Sequence, residues 1–313
     1  MKGCRLVILN FNGQRLLKEC LPSVFEAAHH SLKDPKVTVL DNQSTDESRE
    51  FVLKNFPEAD FVPSGANRVL CSYNDYLKRI DEEFVILLNN DIFVDRGFVD
   101  PLLDPLEKDP QIFFAASKTF GPDKETYLGS LSKIGFRWGM VWGTSLFKDY
   151  EKKVNAPNRT MLCGSGAFRR AVFCELGGYD DLYLPGTVED LDLCYRAYRQ
   201  GWKGAYCPDS VIYHIGQVSF KKHFGTAALR RMNRRNLYLF IWKNIRSPRL
   251  LFQHFVFLPL QLLKDFFTGR WDFLAGFFGA LGRLPAALRK RRTAPLNPAQ
   301  LRDEEIFELS AAI

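Results

Sequence analysis

The residues whose types and spacing could do chemistry are a few carboxylates and one histidine, each at the boundary of a patterned segment. Asp91 follows an apolar run at 84–88 in the string LLNNDIF. A carboxylate there would be held rigid by the strand behind it while reaching solvent at the sheet edge. Alone, such an Asp serves equally as a turn former, because its side chain readily caps a local amide. Glu189, Asp190 and Asp192 open the helical pattern EDLDLCYRAYRQGW, where exposed amides and the helix dipole favour acids with or without a function. Asp192 is also spaced for an i,i+4 pair with Arg196, so a structural role suits it as well as a chemical one. Glu189 and Asp190, preceded by a loop containing Gly186, are better placed to face a cleft. Two neighbouring carboxylates can supply one general base and one orienting group. His214 follows Tyr213 at the end of a β-rich run and by itself reads as an edge histidine. In company, an Asp, a carboxylate pair and a His could converge on one divalent cation and a reacting hydroxyl.

The elements that must position these groups alternate between β-rich and helical patterns. The reading is a strand over 5–9, a helix over 15–28 and a strand over 37–40,. Ser44 lies three residues before Glu47, a capping-box spacing that predicts a helix running to about Asn55, before Pro57,. A strand at 60–62, a helix at 72–80 and a central strand at 84–88, buried on both faces, follow. This rhythm implies an α/β fold with a mostly parallel sheet flanked by helices. Ligands bind beyond the carboxyl ends of such strands, which directs attention to Asn10, Asn12, Asp41, Asn42, Asn90 and Asp91. Between 121 and 158 the periodicity weakens, as in an acceptor-side loop or small subdomain. The pattern then returns with the helix that stops at Gly201 and a strand at 210–213 that delivers His214.

Charge divides the chain. The net +7 of the 313 residues is unevenly spread: 221–292 holds sixteen Lys and Arg against Asp265 and Asp272. The body at 1–220 is mildly acidic. A basic tail suits nucleic acid or an anionic membrane, and the tail's leucine- and aromatic-rich strings, such as LFQHFVFLPLQLL, favour the membrane over nucleic acid,. Its longest run reads as too short and too interrupted by Gln253, His254 and Gln261 to span a bilayer, so amphipathic helices lying in the interface are expected. The alternative is that these helices complete the core. Cutting the chain near Leu237 is expected to leave a more soluble body with weaker membrane association. Seven cysteines without a CxxC pair read as reduced core residues, not a disulfide framework or zinc site,. The first apolar run, 6–9, is far shorter than a secretory signal, so the body is expected in the cytoplasm.

Taken in order, the strings VILNFNG, VLDNQSTDES, LLNNDIFVD and GSGAFRRAVFCELGGYDDLYLPGTVEDLDLCYRAYRQGW resemble the family 2 glycosyltransferases of the GT-A fold, particularly the bacterial rhamnosyltransferase-like branch. The resemblance runs through most of 4–220. It implies a GT-A domain over 1–220, with a nucleotide-sugar-binding half at 1–118 and an acceptor and catalytic half at 119–220, and a basic amphipathic helical region at 221–313. It implies that Asn10, Asn12, Asp41, Asn67, Asn90 and Asp91 line the donor site, Asp41 recognising the base. Asp91 and His214 would hold Mg²⁺ or Mn²⁺ against the donor diphosphate, and Asp190 would be the base, with Glu189 the second choice. The implied reaction is an inverting transfer from a nucleotide-activated sugar, rhamnose being the family-level expectation, to a lipid-linked or polysaccharide acceptor in cell-surface glycan or lipopolysaccharide synthesis. It would take place at the inner face of the membrane.

The chain departs from the family at GANRVLCSYNDY, where a glycine-rich stretch usually separates two asparagines. Without glycine the backbone approaches a donor less freely, and Arg68 becomes an expected contact of the diphosphate. This departure is also the best support for the alternative, a catalytically inactive membrane-bound scaffold. A sugar-nucleotide pyrophosphorylase would need a glycine-rich phosphate loop after the first strand, which NFNGQRL does not supply.

Overall fold

The structure is a computed structural model that describes residues 3–215, 224–293 and 300–313. The strands, in chain order, are β1 (Cys4–Asn10), β2 (Lys36–Asp41), β3 (Asp60–Pro63), β4 (Phe84–Asn89), β5 (Ile92–Val94), β6 (Ile112–Phe120), β7 (Tyr127–Gly129), β8 (Lys133–Arg137), β9 (Met140–Thr144), β10 (Asn158–Arg159), β11 (Gly166–Arg169) and β12 (Lys203–His214). The helices are α1 (Gln14–His30), α2 (Ser48–Asn55), α3 (Ser72–Leu77), α4 (Val99–Lys108), α5 (Arg170–Glu175), α6 (Glu189–Arg199), α7 (Thr226–Asn244), α8 (Pro248–Phe267), α9 (Trp271–Thr293) and α10 (Asp303–Ala311). Contacts divide the chain into two interleaved units. One comprises 1–132, 145–179 and 202–216, and the other 133–144, 180–201 and 217–313. The composition boundary at 220 lies outside the described residues.

The first unit is built on a sheet of order β10-β12-β6-β11-β4-β1-β2-β3. β1 pairs in parallel with β2 and β4, β2 with β3, and β12 with β6. β11 runs antiparallel between β4 and β6. β4 is central, and its residues Phe84 to Leu88 are buried as their unbroken apolar run requires,. The apolar positions of α1, Leu17, Cys20, Leu21 and Val24, recur at helical spacing and are buried,. Leu17, Leu21 and Val24 join Leu6, Ile8, Ile86 and Leu88 in the core, each large aliphatic side chain contributing about 1.5–3 kcal/mol by burial.

Ser44 does not cap α2, which begins at Ser48 without a side-chain cap bond. Its hydroxyl donates instead to Asp41 Oδ1 at 2.6 Å, and its amide donates to Asp41 Oδ2 at 2.8 Å. Asp41 takes both Ser44 donors, the amide that a capping box would give to Glu47 and the hydroxyl hydrogen, so the loop keeps the serine,. The weakly patterned stretch at 121–158 contains β7, the β8–β9 hairpin and β10, with only the hairpin belonging to the second unit.

The second unit packs α6, α7, α8, α9 and α10 with the β8–β9 hairpin. Helix α7 buries Tyr238, Leu239, Phe240, Ile241 and Trp242, so the core-completing alternative holds for this part of the tail. The structure speaks against a clean cut near Leu237: it would remove these core residues, Lys243 and Asn244, which donate to Asp192, and Asp303, which accepts from Tyr195. Helix α8 differs from its sequence reading as well. Within its 20 residues an 18-residue window reaches a mean hydropathy of 1.2, enough by length and composition to cross a membrane, because the helix extends beyond the apolar run at both ends. One face is nevertheless committed to the protein. His254 Nδ1 lies 2.6 Å from the Gly139 carbonyl while Nε2 accepts from Trp242 Nε1 at 3.1 Å, which assigns a neutral ring, and burial lowers its pKa. Gly139 has φ +73° and its Cβ position falls 2.9 Å from the His254 backbone, so the hairpin tip needs glycine for this approach,. Asp265 pairs with Arg234 at 3.3 Å.

Candidate active site

In the first unit the carboxyl ends of β1, β2 and β4 are tied by one polar network. Asn10 Nδ2 donates to Asp41 Oδ1 at 3.0 Å and to Ser44 Oγ at 3.1 Å, while Asn10 Oδ1 accepts from Asn90 Nδ2 at 2.8 Å. Asn12 N donates to Ser44 Oγ at 2.8 Å, and Asn12 Oδ1 accepts from Thr45 N at 2.7 Å. Gly13 is required beside them, because a Cβ there would fall 2.0 Å from Asn90 Nδ2. Asn10, Asn12, Asp41 and Asn90 thus form a single pre-ordered rim. Asn42, also among the strand-end residues the sequence pattern pointed to, adds a buried Oδ1 without a hydrogen-bond partner.

The neighbouring loop is fastened to this rim. Asn42 Nδ2 donates to the Val69 carbonyl at 3.2 Å, and Gln43 Nε2 donates to the Gly65 carbonyl at 2.9 Å. Asn67 Oδ1 accepts from Val69 N at 3.1 Å, and Arg68 pairs with Asp75 at 3.5 Å. Val69 has φ +51°, a conformation disfavoured for a β-branched residue and held here by its neighbours. The larger residues that replace glycine are absorbed by the core: Cys71 and Tyr73 are buried, and the Tyr73 hydroxyl donates to the Leu88 carbonyl at 2.8 Å.

Asp91 and His214 meet. β12 pairs antiparallel with β5, setting His214 opposite Ile92, and His214 Nε2 lies 3.2 Å from Asp91 Oδ1. That oxygen is buried without a hydrogen bond, so the two atoms approach without satisfying each other. Desolvating a carboxylate oxygen with no donor is unfavourable unless something else fills its lone pairs. An oxygen and an imidazole nitrogen suit a borderline or hard divalent cation, and the pair fits Mg²⁺ or Mn²⁺. Among the described residues no group of three or more His, Cys, Asp or Glu could hold a metal. Further ligands would therefore come from phosphate and water, the usual arrangement for Mg²⁺ bound with a substrate phosphate.

In the second unit Asp192 is fully spent. Its Oδ1 accepts from Tyr183, Lys243 and Asn244 at 2.7, 2.7 and 2.8 Å, and its Oδ2 accepts from Arg196 at 2.7 Å. Burial pushes its pKa up, but the charges of Lys243 and Arg196 outweigh this and hold it well below the carboxylate range. Asp192 is thus an anchor for α6. Glu189 and Asp190 have the opposite environment. Glu189 Oε2 is buried without a partner, and burial, then the charge of Asp190, pushes Glu189 up to about 8. Burial also raises Asp190, whose Oδ1 accepts from Leu191 N at 2.7 Å. Burial and the neighbouring Asp190 charge thus favour a proton on Glu189 near neutrality,.

The entry to α6 is strained. Thr187 and Val188 have φ of +69° and +73°, of order 1–3 kcal/mol each. Asn236, buried on α7, holds this entry by donating to the carbonyls of Tyr183, Gly186 and Thr187 at 2.8, 2.7 and 2.9 Å. Sequence reasoning missed Asn236 and Lys243, since partners about fifty residues away leave no periodic signal.

The sequence pattern of glycosyl transferase family 2 matches residues 6–177. A rhamnosyltransferase of Mycobacterium tuberculosis, the N-acetylglucosaminyl-diphospho-decaprenol L-rhamnosyltransferase, is 26% identical over 202 residues, covering 57% of this chain and 66% of its own length, just under two thirds. The O-antigen chain rhamnosyltransferase RfbN of Salmonella typhimurium is 24% identical over 234 residues, 71% of this chain and 70% of its own. Among solved structures, GalNAc-T7, crystallised with UDP, GalNAc and Mn²⁺, superposes with a TM-score of 0.56 at 18% identity over 78% of this chain and 48% of that one, a likeness of fold. The fold is GT-A, and with the family pattern spanning more than half of its length, the chain belongs to glycosyltransferase family 2.

Proposed function

We propose that this chain transfers a hexose, rhamnose being the first candidate, from a nucleotide diphosphate sugar to a hydroxyl of a lipid-linked acceptor, with inversion, in the assembly of a cell-surface glycan. The observation that carries the reading is the buried, unpartnered Asp91 Oδ1 with His214 Nε2 3.2 Å away. A divalent cation held there would neutralise charge developing on the departing diphosphate. The residues of this chain supply the rest. The Asn10, Asn12, Asp41 and Asn90 rim orients the nucleotide end of the donor, and its mutual hydrogen bonds limit reorganisation on binding. Asn67 and Arg68 are assigned to the same donor. Asp190 takes the proton of the acceptor hydroxyl, whose oxygen then attacks the anomeric carbon opposite the leaving group. Glu189, holding its own proton, orients the acceptor.

Calorimetric titration with UDP, dTDP and GDP, with and without Mn²⁺, is expected to select one nucleotide that binds only with the metal. Turnover with the matching sugar donor and GlcNAc-diphospho-decyl as acceptor should follow. Absence of binding by any nucleotide would return the chain to the scaffold reading.

Membrane association belongs to the same proposal. On α8 the exposed Phe252, Phe255, Val256, Leu260, Leu263, Phe266 and Phe267 recur at helical spacing, with Phe252 73% and Phe267 80% exposed,. Exposed Arg249, Lys264 and Arg270 flank them. With His254, Gln261 and Asp265 engaged with the protein on the other face, the helix suits the plane of an anionic cytoplasmic leaflet better than a crossing. Phe252→Ser with Phe255→Ser and Leu263→Ser is expected to reduce co-sedimentation with phosphatidylglycerol vesicles at least tenfold. Retained sedimentation would remove this face from the proposal.

A further inference from the structure

Two half-buried arginines converge on the loop that leads into Glu189 and Asp190. Arg235 on α7 donates to the Tyr183 and Leu184 carbonyls at 3.2 and 2.8 Å. Arg283 on α9 donates to the Leu182 and Leu184 carbonyls at 2.9 and 3.0 Å. The two guanidinium groups therefore meet on one carbonyl oxygen. Arg231, exposed one helical turn before Arg235, adds a third positive charge,. Among the described residues no carboxylate lies within ion-pair distance of Arg231, Arg235 or Arg283, although neighbours on the same helices are paired, Arg230 with Asp272 and Arg234 with Asp265. Burial and the charges of Arg283 and Arg231 pull Arg235 down to about 10. Neutral carbonyls satisfy only some of the guanidinium donors. Arg283 uses Nη1 for both of its bonds, and Arg235 uses Nε on Asn236 and Nη2 on the loop.

We infer that Arg231, Arg235 and Arg283 form an anion subsite that takes the diphosphate of the lipid-linked acceptor. Planar guanidinium groups with spare N–H donors match phosphate oxygens. The placement suits that ligand because the diphosphate of such an acceptor is bonded directly to the sugar that must reach the base. Asn236, next to Arg235, holds the Thr187 carbonyl two residues before Glu189. The subsite thus shares its scaffold with the catalytic loop, so acceptor binding would bear on both. This inference rests on the lipid-diphosphate acceptor of the proposed function.

Two arms test it on the full chain. Decyl diphosphate titrated in EDTA, which silences a metal-dependent donor site, should bind the wild type. Arg231→Gln and Arg283→Gln should each weaken it at least fivefold, while decyl maltoside should show no such difference. In turnover, Arg283→Gln should lower the rate with GlcNAc-diphospho-decyl at least tenfold more than the rate with decyl GlcNAc. An equal fall on both acceptors would mean that the arginines act only by holding the loop, and would overturn the inference. So would variants that lose phosphatidylglycerol vesicles but keep their decyl diphosphate affinity, which would assign the cluster to lipid headgroups. If the wild type glycosylates neither acceptor, the proposed function falls, and the EDTA titration still decides the subsite.

Discussion

Replacing Asp91 by alanine is expected to abolish metal-dependent nucleotide binding and to lower turnover at least about a thousandfold, the scale associated with removing a preorganised electrostatic group at a reacting centre. The same change should leave thermal stability unaltered or raise it. Asp91 Oδ1 is buried without a hydrogen-bond donor, so the folded chain gains little from it, and removing an unsatisfied buried acceptor relieves a desolvation penalty of about 1–3 kcal/mol. A structural ion pair would behave in the opposite way, since losing one partner leaves the other uncompensated. Calorimetry with the selected nucleotide and Mn²⁺, beside a melting curve, separates the two cases. A lowered melting temperature with retained nucleotide binding would make the Asp91–His214 pair structural.

The second large effect is expected at Asp190. Asp190→Asn keeps size and shape but cannot accept a proton, and kcat should fall by about a hundredfold to ten-thousandfold. Nucleotide affinity should be kept, because the donor rim lies in the other unit. Glu189→Gln should be much milder. Its carboxyl is pushed up to about 8, so it carries a proton at neutral pH and glutamine imitates that state. The acid limb of the kcat profile should follow Asp190, which burial raises above the usual range, and activity should drop as pH falls through that pKa. Stability supplies an independent check. A carboxyl raised from 4.5 to about 8 by folding binds its proton more tightly in the native state, so its contribution is complete below 4.5 and is lost as pH rises through about 8. Melting temperatures of Glu189→Gln should therefore gain on the wild type across that interval. Equal kcat losses for the two variants would reverse the role assignment.

These assignments were legible in the sequence to different degrees. The buried run of β4 ending in Asn89 and the amphipathic pattern of α6 are local signals that lie where their periods place them, while the strand delivering His214 spans Lys203–His214, beginning well before the expected 210. The meeting of Asp91 with His214 was implied by the family resemblance, and antiparallel pairing of β5 with β12 brings it about. Ser44 was misread because a capping-box spacing says nothing of Asp41, which competes for the same hydroxyl. The α7 part of the tail was misread for a related reason. Hydropathy makes α8 the more apolar helix, yet only long-range contacts, Asn236 with Thr187 or His254 with Gly139, determine that α7 is core while one face of α8 remains bare. The same limit hid the arginine cluster, which the linear sequence shows only as part of a diffuse basic stretch.

The interleaving of the two units bears on how such a chain can be recombined. The helix carrying Asp190 and the terminal helices belong together, tied by the Asp192–Lys243 and Tyr195–Asp303 contacts. A chimera spliced at one point near residue 220 would divide that unit between two parents and leave buried charges facing strangers. A graft that carries 133–144, 180–201 and 217–313 across together keeps those partners matched, which makes this discontinuous set, and not the C-terminal tail, the piece to exchange between relatives.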